Sequence, residues 1–200
     1  MMSGRNKFYV WVRRWIAPIV MLLFPLEVQG LENIPKEPVL LCANHSSALD
    51  PIMMVCALDR QYDLRIMAKQ QVMSVPVLGW FVRKMGGFGV DRGNSDINSV
   101  KTAIRSLKEG WSLLVFPEGT RVKNDEPSEI KGGVAMMAIR AEAKLQPVFI
   151  ERKKKLFRKT RIVFGEAFAP VYTGRKGTAE EYQANAEEVM RRAYELGEAK

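Results

Sequence analysis

The chain contains a single histidine, His45, in the segment Asn44-His45-Ser46-Ser47-Ala48-Leu49-Asp50. Imidazole is the side chain whose unperturbed pKa keeps a proton-accepting neutral form and a charged form both in reach near neutral pH. A carboxylate five residues later, Asp50, can fold back across one turn and hold the ring in the tautomer that a base needs. A second segment, Phe116-Pro117-Glu118-Gly119-Thr120-Arg121, brackets an acid between proline and glycine and so exposes Glu118, Thr120 and Arg121 on a sharp turn. The guanidinium fork suits a phosphate, and the threonine hydroxyl and backbone N–H groups add donors. A histidine base beside such a turn points to a substrate that carries both a hydroxyl and a phosphate.

Other chemistries lack their residues. One histidine and two cysteines without metal-like spacing offer too few ligands for a metal site. There is no Gly-x-Ser-x-Gly elbow for a serine nucleophile. The stretch Gly86-Gly87-Phe88-Gly89 lacks the full dinucleotide fingerprint, and no phosphate loop ending in Gly-Lys-Ser/Thr is present.

The elements that must position these groups read as alternating strands and helices. Val39–Ala43 is an apolar run with the pattern of a buried strand, and Asp50-Pro51 then reads as an N-cap followed by proline at the first helical position. Further strands are expected at Asp63–Ala68, Phe88–Val90, Ser112–Phe116, Pro147–Ile150 and Arg161–Phe164. Helices are expected at Ile52–Leu58, in a stretch broken by Pro76, over Ile97–Leu107, over Gly132–Lys144, and after the capping box Thr178-x-x-Glu181. Residues 117–131 read as a polar loop. This alternation predicts an α/β domain with a central, mostly parallel sheet flanked by helices. Functional residues of such domains lie just beyond strand ends, where both His45 and the Glu118 turn fall.

The 200 residues suit one domain, 47% hydrophobic and 26% charged, with a net charge of +9 that calls for an anionic partner. Much of that charge lies in the basic run Arg152–Arg161, which fits a solvated hairpin or a patch against anionic lipid. That run has only Phe157 as an interleaved aromatic and no nucleic-acid motif. Cys42 and Cys56 fit reduced, buried thiols.

At the N-terminus, Trp15–Leu26 is almost continuously apolar, but as a helix it reaches only ~18 Å against ~30 Å of hydrocarbon. Aromatic residues beside arginines there suit a helix lying in the headgroup zone. The expected division is an N-terminal membrane-interface helical segment, 1–28, and a catalytic domain, 29–200.

In order, Asn44-His45-x4-Asp50, Ala68-Lys69, Gly79-Trp80, Gly87-Phe88-Gly89-Val90-Asp91-Arg92 and Phe116-Pro117-Glu118-Gly119-Thr120-Arg121 resemble the glycerolipid acyltransferase family. The likeness is greatest to its bacterial 1-acyl-sn-glycerol-3-phosphate acyltransferases. It extends from about Gly30 to Ile150, with departures at Gln70-Gln71-Val72 after Lys69 and at Gln146-Pro147-Val148. The resemblance implies a glycerolipid-acyltransferase-like fold and O-acyl transfer from acyl-CoA or acyl carrier protein to the sn-2 hydroxyl of lysophosphatidic acid, giving phosphatidic acid. It implies His45 as base and Asp50 as its orienter. Lys69 and Arg121 would bind phosphate, with Arg92 a further anion contact, and Glu118, Gly119 and Thr120 would shape the acceptor pocket. No metal or redox cofactor is expected. The work would be done at the cytoplasmic face of the cell membrane, against an anionic lipid surface and without nucleic acid. The alternatives are another lysolipid or glycerol 3-phosphate as acceptor, and a non-catalytic module that binds anionic membranes.

Overall fold

The structure, a computed structural model, describes residues 6–58, 62, 64–90, 97–122 and 129–199. Seven strands form its sheet: β1 (Leu26–Gln29), β2 (Val39–Ala43), β3 (Leu64–Lys69), β4 (Phe88–Val90), β5 (Ser112–Val115), β6 (Lys144–Ile150) and β7 (Thr160–Phe164), in the order β1-β7-β6-β2-β5-β3-β4. Every neighbouring pair is parallel except β6 with β7. The helices are α1 (Lys7–Trp15), α2 (Ala17–Leu23), α3 (Asp50–Ala57), α4 (Gln70–Ser74), α5 (Pro76–Lys84), α6 (Ile97–Lys108), α7 (Gly133–Ala141) and α8 (Ala179–Glu198).

β2 is apolar at every position because both of its faces are covered. Val39, Leu41 and Ala43 point into a core shared with Tyr9 and Val12 of α1 and Met53 and Met54 of α3. Leu40 and Cys42 point the other way, into a core shared with Leu107 of α6, Ala135 and Ala138 of α7, and Ala186 and Val189 of α8. The expected α/β layering, helices on both faces of a mostly parallel sheet, is therefore the one present. The carboxyl ends of β2, β3 and β5 open along one edge of the sheet, with β5 hydrogen-bonded between the other two.

Three expectations change. The helix ends at Ala141, not Lys144, because Glu142 takes a left-handed conformation (φ 57°) and its N–H closes the last turn on Ala138 O and Ile139 O. Lys144–Gln146 consequently belongs to β6, which pairs with β2 from Val39↔Lys144 onward. Leu26–Gln29 is a strand, parallel to β7, so a boundary at 28/29 runs through the sheet's edge strand and the helical part ends at Leu23.

The N-terminal helices are docked on one side and bare on the other. Asn6 caps α1 by accepting the N–H groups of Phe8 and Tyr9 at 3.1 Å, and its amide donates to Lys84 O at 2.9 Å. Tyr9 and Val12 are buried, Arg13 Nε donates to Leu58 O at 2.8 Å, and Phe8 meets Trp80 and Phe81 edge-on. Trp15 and Leu22 face outward, 59% and 71% exposed. No described helix is long and apolar enough to cross a membrane.

Candidate active site

His45 leaves the carboxyl end of β2 and enters a tight turn that wraps around one carboxylate. Asp50 is the first residue of α3; the N-cap position is Leu49, so the expected capping role of Asp50 gives way to a different one. Its Oδ2 accepts the backbone N–H of Ser46 at 2.7 Å and of Ser47 at 2.8 Å, and it lies 2.9 Å from His45 Nδ1. Asp50 N–H donates back to Ser47 O at 3.1 Å, which closes the turn. A carboxylate accepts only, so the proton in this pair belongs on Nδ1 of the neutral ring, and Nε2 is left as the nitrogen able to accept one. The imidazole lies over the Phe116 ring, with centroids 4.2 Å apart and planes 24° apart.

The second oxygen, Oδ1, is met by the ammonium of Lys154, whose side chain is 4% exposed against 0% for Asp50. Lys154 Nζ also donates to Ser46 Oγ at 2.7 Å. Burial alone would raise the Asp50 carboxyl pKa, but the hydrogen bonds from His45 and Lys154, together with the lysine charge, outweigh it and hold Asp50 below the usual carboxylate range.

The loop after β5 grips His45 by its main chain. Glu118 Oε2 accepts His45 N–H at 3.0 Å, and Val122 N–H donates to His45 O at 2.8 Å. The turn that aims Glu118 is closed by Gly119 N–H on Phe116 O at 3.0 Å, with Gly119 at φ 69°, where a side chain is disfavoured. The other Glu118 oxygen receives the hydroxyl of Tyr194 on α8. Burial dominates here: Glu118 is pushed above its ordinary value, although Tyr194 and the His45 N–H oppose the shift. Burial and the Glu118 contact push the Tyr194 phenol up as well. From below, Asn44 pins the end of β2 to β6 by donating to Ile150 O at 2.9 Å and accepting Ile150 N–H at 2.7 Å.

Of the residues expected from sequence, the structure brings together His45, Asp50, Glu118 and the turn that carries Gly119, Thr120 and Arg121. Thr120 and Arg121 are exposed. Lys69 ends β3 on the same sheet edge and is also exposed. Arg92 lies outside the described residues. Two groups went unforeseen. Lys154 was hidden in a basic run that reads as surface, and Tyr194 sits on a helix far along the chain, with no local signal that it reaches the histidine loop. The cysteines are free and buried, and burial pushes Cys56 up to about 11.

The Acyltransferase family profile matches residues 25–151. A 1-acyl-sn-glycerol-3-phosphate acyltransferase of Bacillus subtilis is 30% identical over 194 residues, covering 94% of this chain and 96% of the relative. A protein of the same name from Streptococcus pneumoniae is 31% identical over 153 residues, 73% of this chain; the match spans 55% of that longer relative. The crystal structure of the 1-acyl-sn-glycerophosphate (LPA) acyltransferase PlsC from Thermotoga maritima superposes with a TM-score of 0.72 at 25% identity, over 98% of this chain and 83% of that one.

Proposed function

This chain belongs to the acyltransferase family, and we propose that it moves a fatty acyl group from an acyl thioester to the sn-2 hydroxyl of 1-acyl-sn-glycerol 3-phosphate, yielding phosphatidic acid. The observation that carries the reading is the pair His45 Nδ1–Asp50 Oδ2 at 2.9 Å on a buried carboxylate whose other oxygen is paired with Lys154, an arrangement that leaves Nε2 to act as base. The names of the relatives support the acceptor.

In this reading Nε2 takes the hydroxyl proton as the oxygen attacks the thioester carbonyl. Asp50 offsets the charge of the imidazolium without taking the proton itself. The tetrahedral intermediate then expels the thiolate: the C–S bond breaks, the new C–O ester remains, and the imidazolium returns the proton to sulfur. The reaction balances without a metal or redox group, and general-base assistance of this kind is worth roughly 10²–10⁴-fold. Arg121 and Lys69 would hold the phosphate, while Glu118 and Gly119 fix the turn that presents Thr120 and Arg121.

The same reading seats the protein on the cytoplasmic face of a membrane through the bare side of α1 and α2. The loop 151–159 adjoins that side: Phe157 N–H donates to Leu23 O at 2.7 Å, and exposed Leu156 and Phe157 stand among Lys153, Lys155, Arg158 and Lys159. Apolar side chains rimmed by cations suit an anionic bilayer, from which the acceptor need not depart to reach His45.

The test is thiol release by the full-length chain, supplied with acyl-CoA or with acyl carrier protein, in the presence and absence of lysophosphatidic acid in vesicles. Release that requires the acceptor and vanishes in His45→Ala, with an unchanged circular dichroism spectrum, is the expected result. Absence of acceptor-dependent release from either donor, or full turnover by His45→Ala, would overturn the reading.

A further inference from the structure

Seven basic residues lie between Arg152 and Arg161, and Lys153, Lys155, Arg158 and Lys159 among them are exposed. Lys154 is turned the other way. Its side chain is 4% exposed, paired with Asp50 Oδ1 and donating to Ser46 Oγ at 2.7 Å. Withdrawing an ammonium from water is unfavourable unless a carboxylate and further acceptors receive it. Here both receivers belong to the turn that holds the chain's single histidine, so this pair is built into the site rather than into the surface.

We propose that Lys154 is a positioning residue, acting through Asp50 to fix the orientation of the His45 ring and the tautomer that leaves Nε2 facing the substrate. This rests on the reading of His45 as the base. Two physical effects carry it. With Oδ2 shared by His45 Nδ1, Ser46 N–H and Ser47 N–H, a cation on Oδ1 ties down the other side of the carboxylate and stops it turning away from the ring. Lys154 Nζ also donates to Ser46 Oγ at 2.7 Å, so one cation holds both the carboxylate and the turn that carries the ring. Ser46 Oγ, which donates to Arg152 O at 3.3 Å, ties the same turn to the β6–β7 loop.

Among the described residues, the ionisable groups around the histidine are Asp50 from α3, Glu118 from the loop after β5, Tyr194 from α8, and Lys154 and Arg152 from the β6–β7 loop, Arg152 lying 5.5 Å from the Tyr194 ring. Because the chain has one histidine, NMR of histidine-labelled full-length protein reads His45 alone. In Lys154→Met the ring nitrogen signals should lose the single tautomer with the proton on Nδ1 and report a mixture of the two. Lys154→Arg, which keeps the charge, should bring them back toward the unmodified protein.

In parallel, kcat for acyl-CoA with lysophosphatidic acid vesicles should fall about 10–100-fold in Lys154→Met, a share of the general-base contribution. The acceptor KM should stay within about twofold, and Lys154→Arg should recover part of kcat. Lys154→Gln, a neutral donor, takes the place of Met should that variant fail to fold. An unchanged tautomer signature, or a raised KM with kcat intact, overturns the proposal. If the unmodified chain ignores lysophosphatidic acid, the acceptor reading falls, and the His45 tautomer signature still decides the role of Lys154.

Discussion

Asp50→Asn replaces one atom at the point where three elements meet, and the structure sets its cost. The amide offers one acceptor and one donor where the carboxylate offered two acceptors. If its oxygen keeps the Oδ2 side, Ser46 N–H, Ser47 N–H and His45 Nδ1 remain satisfied, but the NH2 group confronts the Lys154 ammonium, 4% exposed. Removing one partner of a buried pair costs about 3–5 kcal/mol. If the amide flips, Ser46 and Ser47 lose their acceptor at roughly 1–3 kcal/mol each, and the ring is forced into the tautomer with its proton on Nε2. A base in the wrong tautomer loses up to ~10⁴ in rate. In either orientation, stability should drop by about 3–5 kcal/mol and turnover by at least ~10²-fold. The two orientations separate in the double variant Asp50→Asn/Lys154→Met, which removes the stranded ammonium. With the oxygen held inward, urea unfolding should show at least ~2 kcal/mol recovered, while thiol release stays low. A double variant no more stable than Asp50→Asn identifies the flipped amide, and a single variant within ~0.5 kcal/mol of the parent would refute the claim that a buried ion pair anchors the dyad.

Arg121→Ala should raise the acceptor KM at least ~10-fold, as loss of a charged hydrogen bond does, and leave the thioester KM unchanged; initial rates against both substrates check this. Removing residues 1–26 would strip buried Tyr9 and Val12 from the core, so membrane seating is better tested by Trp15→Glu with Leu22→Glu, which should cut cosedimentation with anionic vesicles at unchanged Tm. The raised carboxyl of Glu118 makes the native state lose stability as pH rises from the ordinary glutamate value through its own, whereas the lowered Asp50 loses stability only as pH falls beneath the ordinary range. Glu118→Gln can still accept His45 N–H and donate to Tyr194 Oη, so its Tm relative to the parent should improve from pH 4 to pH 7, and a constant difference would contradict the burial-driven shift.

The parts legible in the sequence are those whose causes are local. β2 and β5 announce themselves as apolar runs because a sheet covered on both faces leaves no polar position to interrupt them. His45 and Asp50 could be paired on paper because five residues suffice to close the turn. The end of α7 could not be read, because Glu142 adopts the left-handed conformation that usually advertises itself as glycine, and β6 starts just beyond it. β1 is short and follows directly on an apolar helix, so no change of pattern marks it. Lys154 and Tyr194 belong to another category: their place depends on how β6, β7 and α8 return to the sheet, and residue type alone makes Lys154 look like one more surface cation.

The dependence of Glu118 on Tyr194 bears on how the protein is made. Synthesis delivers His45 and the Glu118 turn first, and the hydroxyl that steadies Glu118 follows much later, on α8. Domains gather from the N-terminus as they emerge. A nascent chain therefore holds every motif of the dyad and its loop while one of their supports is still unsynthesised. The tyrosine that braces the histidine's main chain follows the histidine by most of the fold, so the site is fully supported only once α8 has emerged and docked.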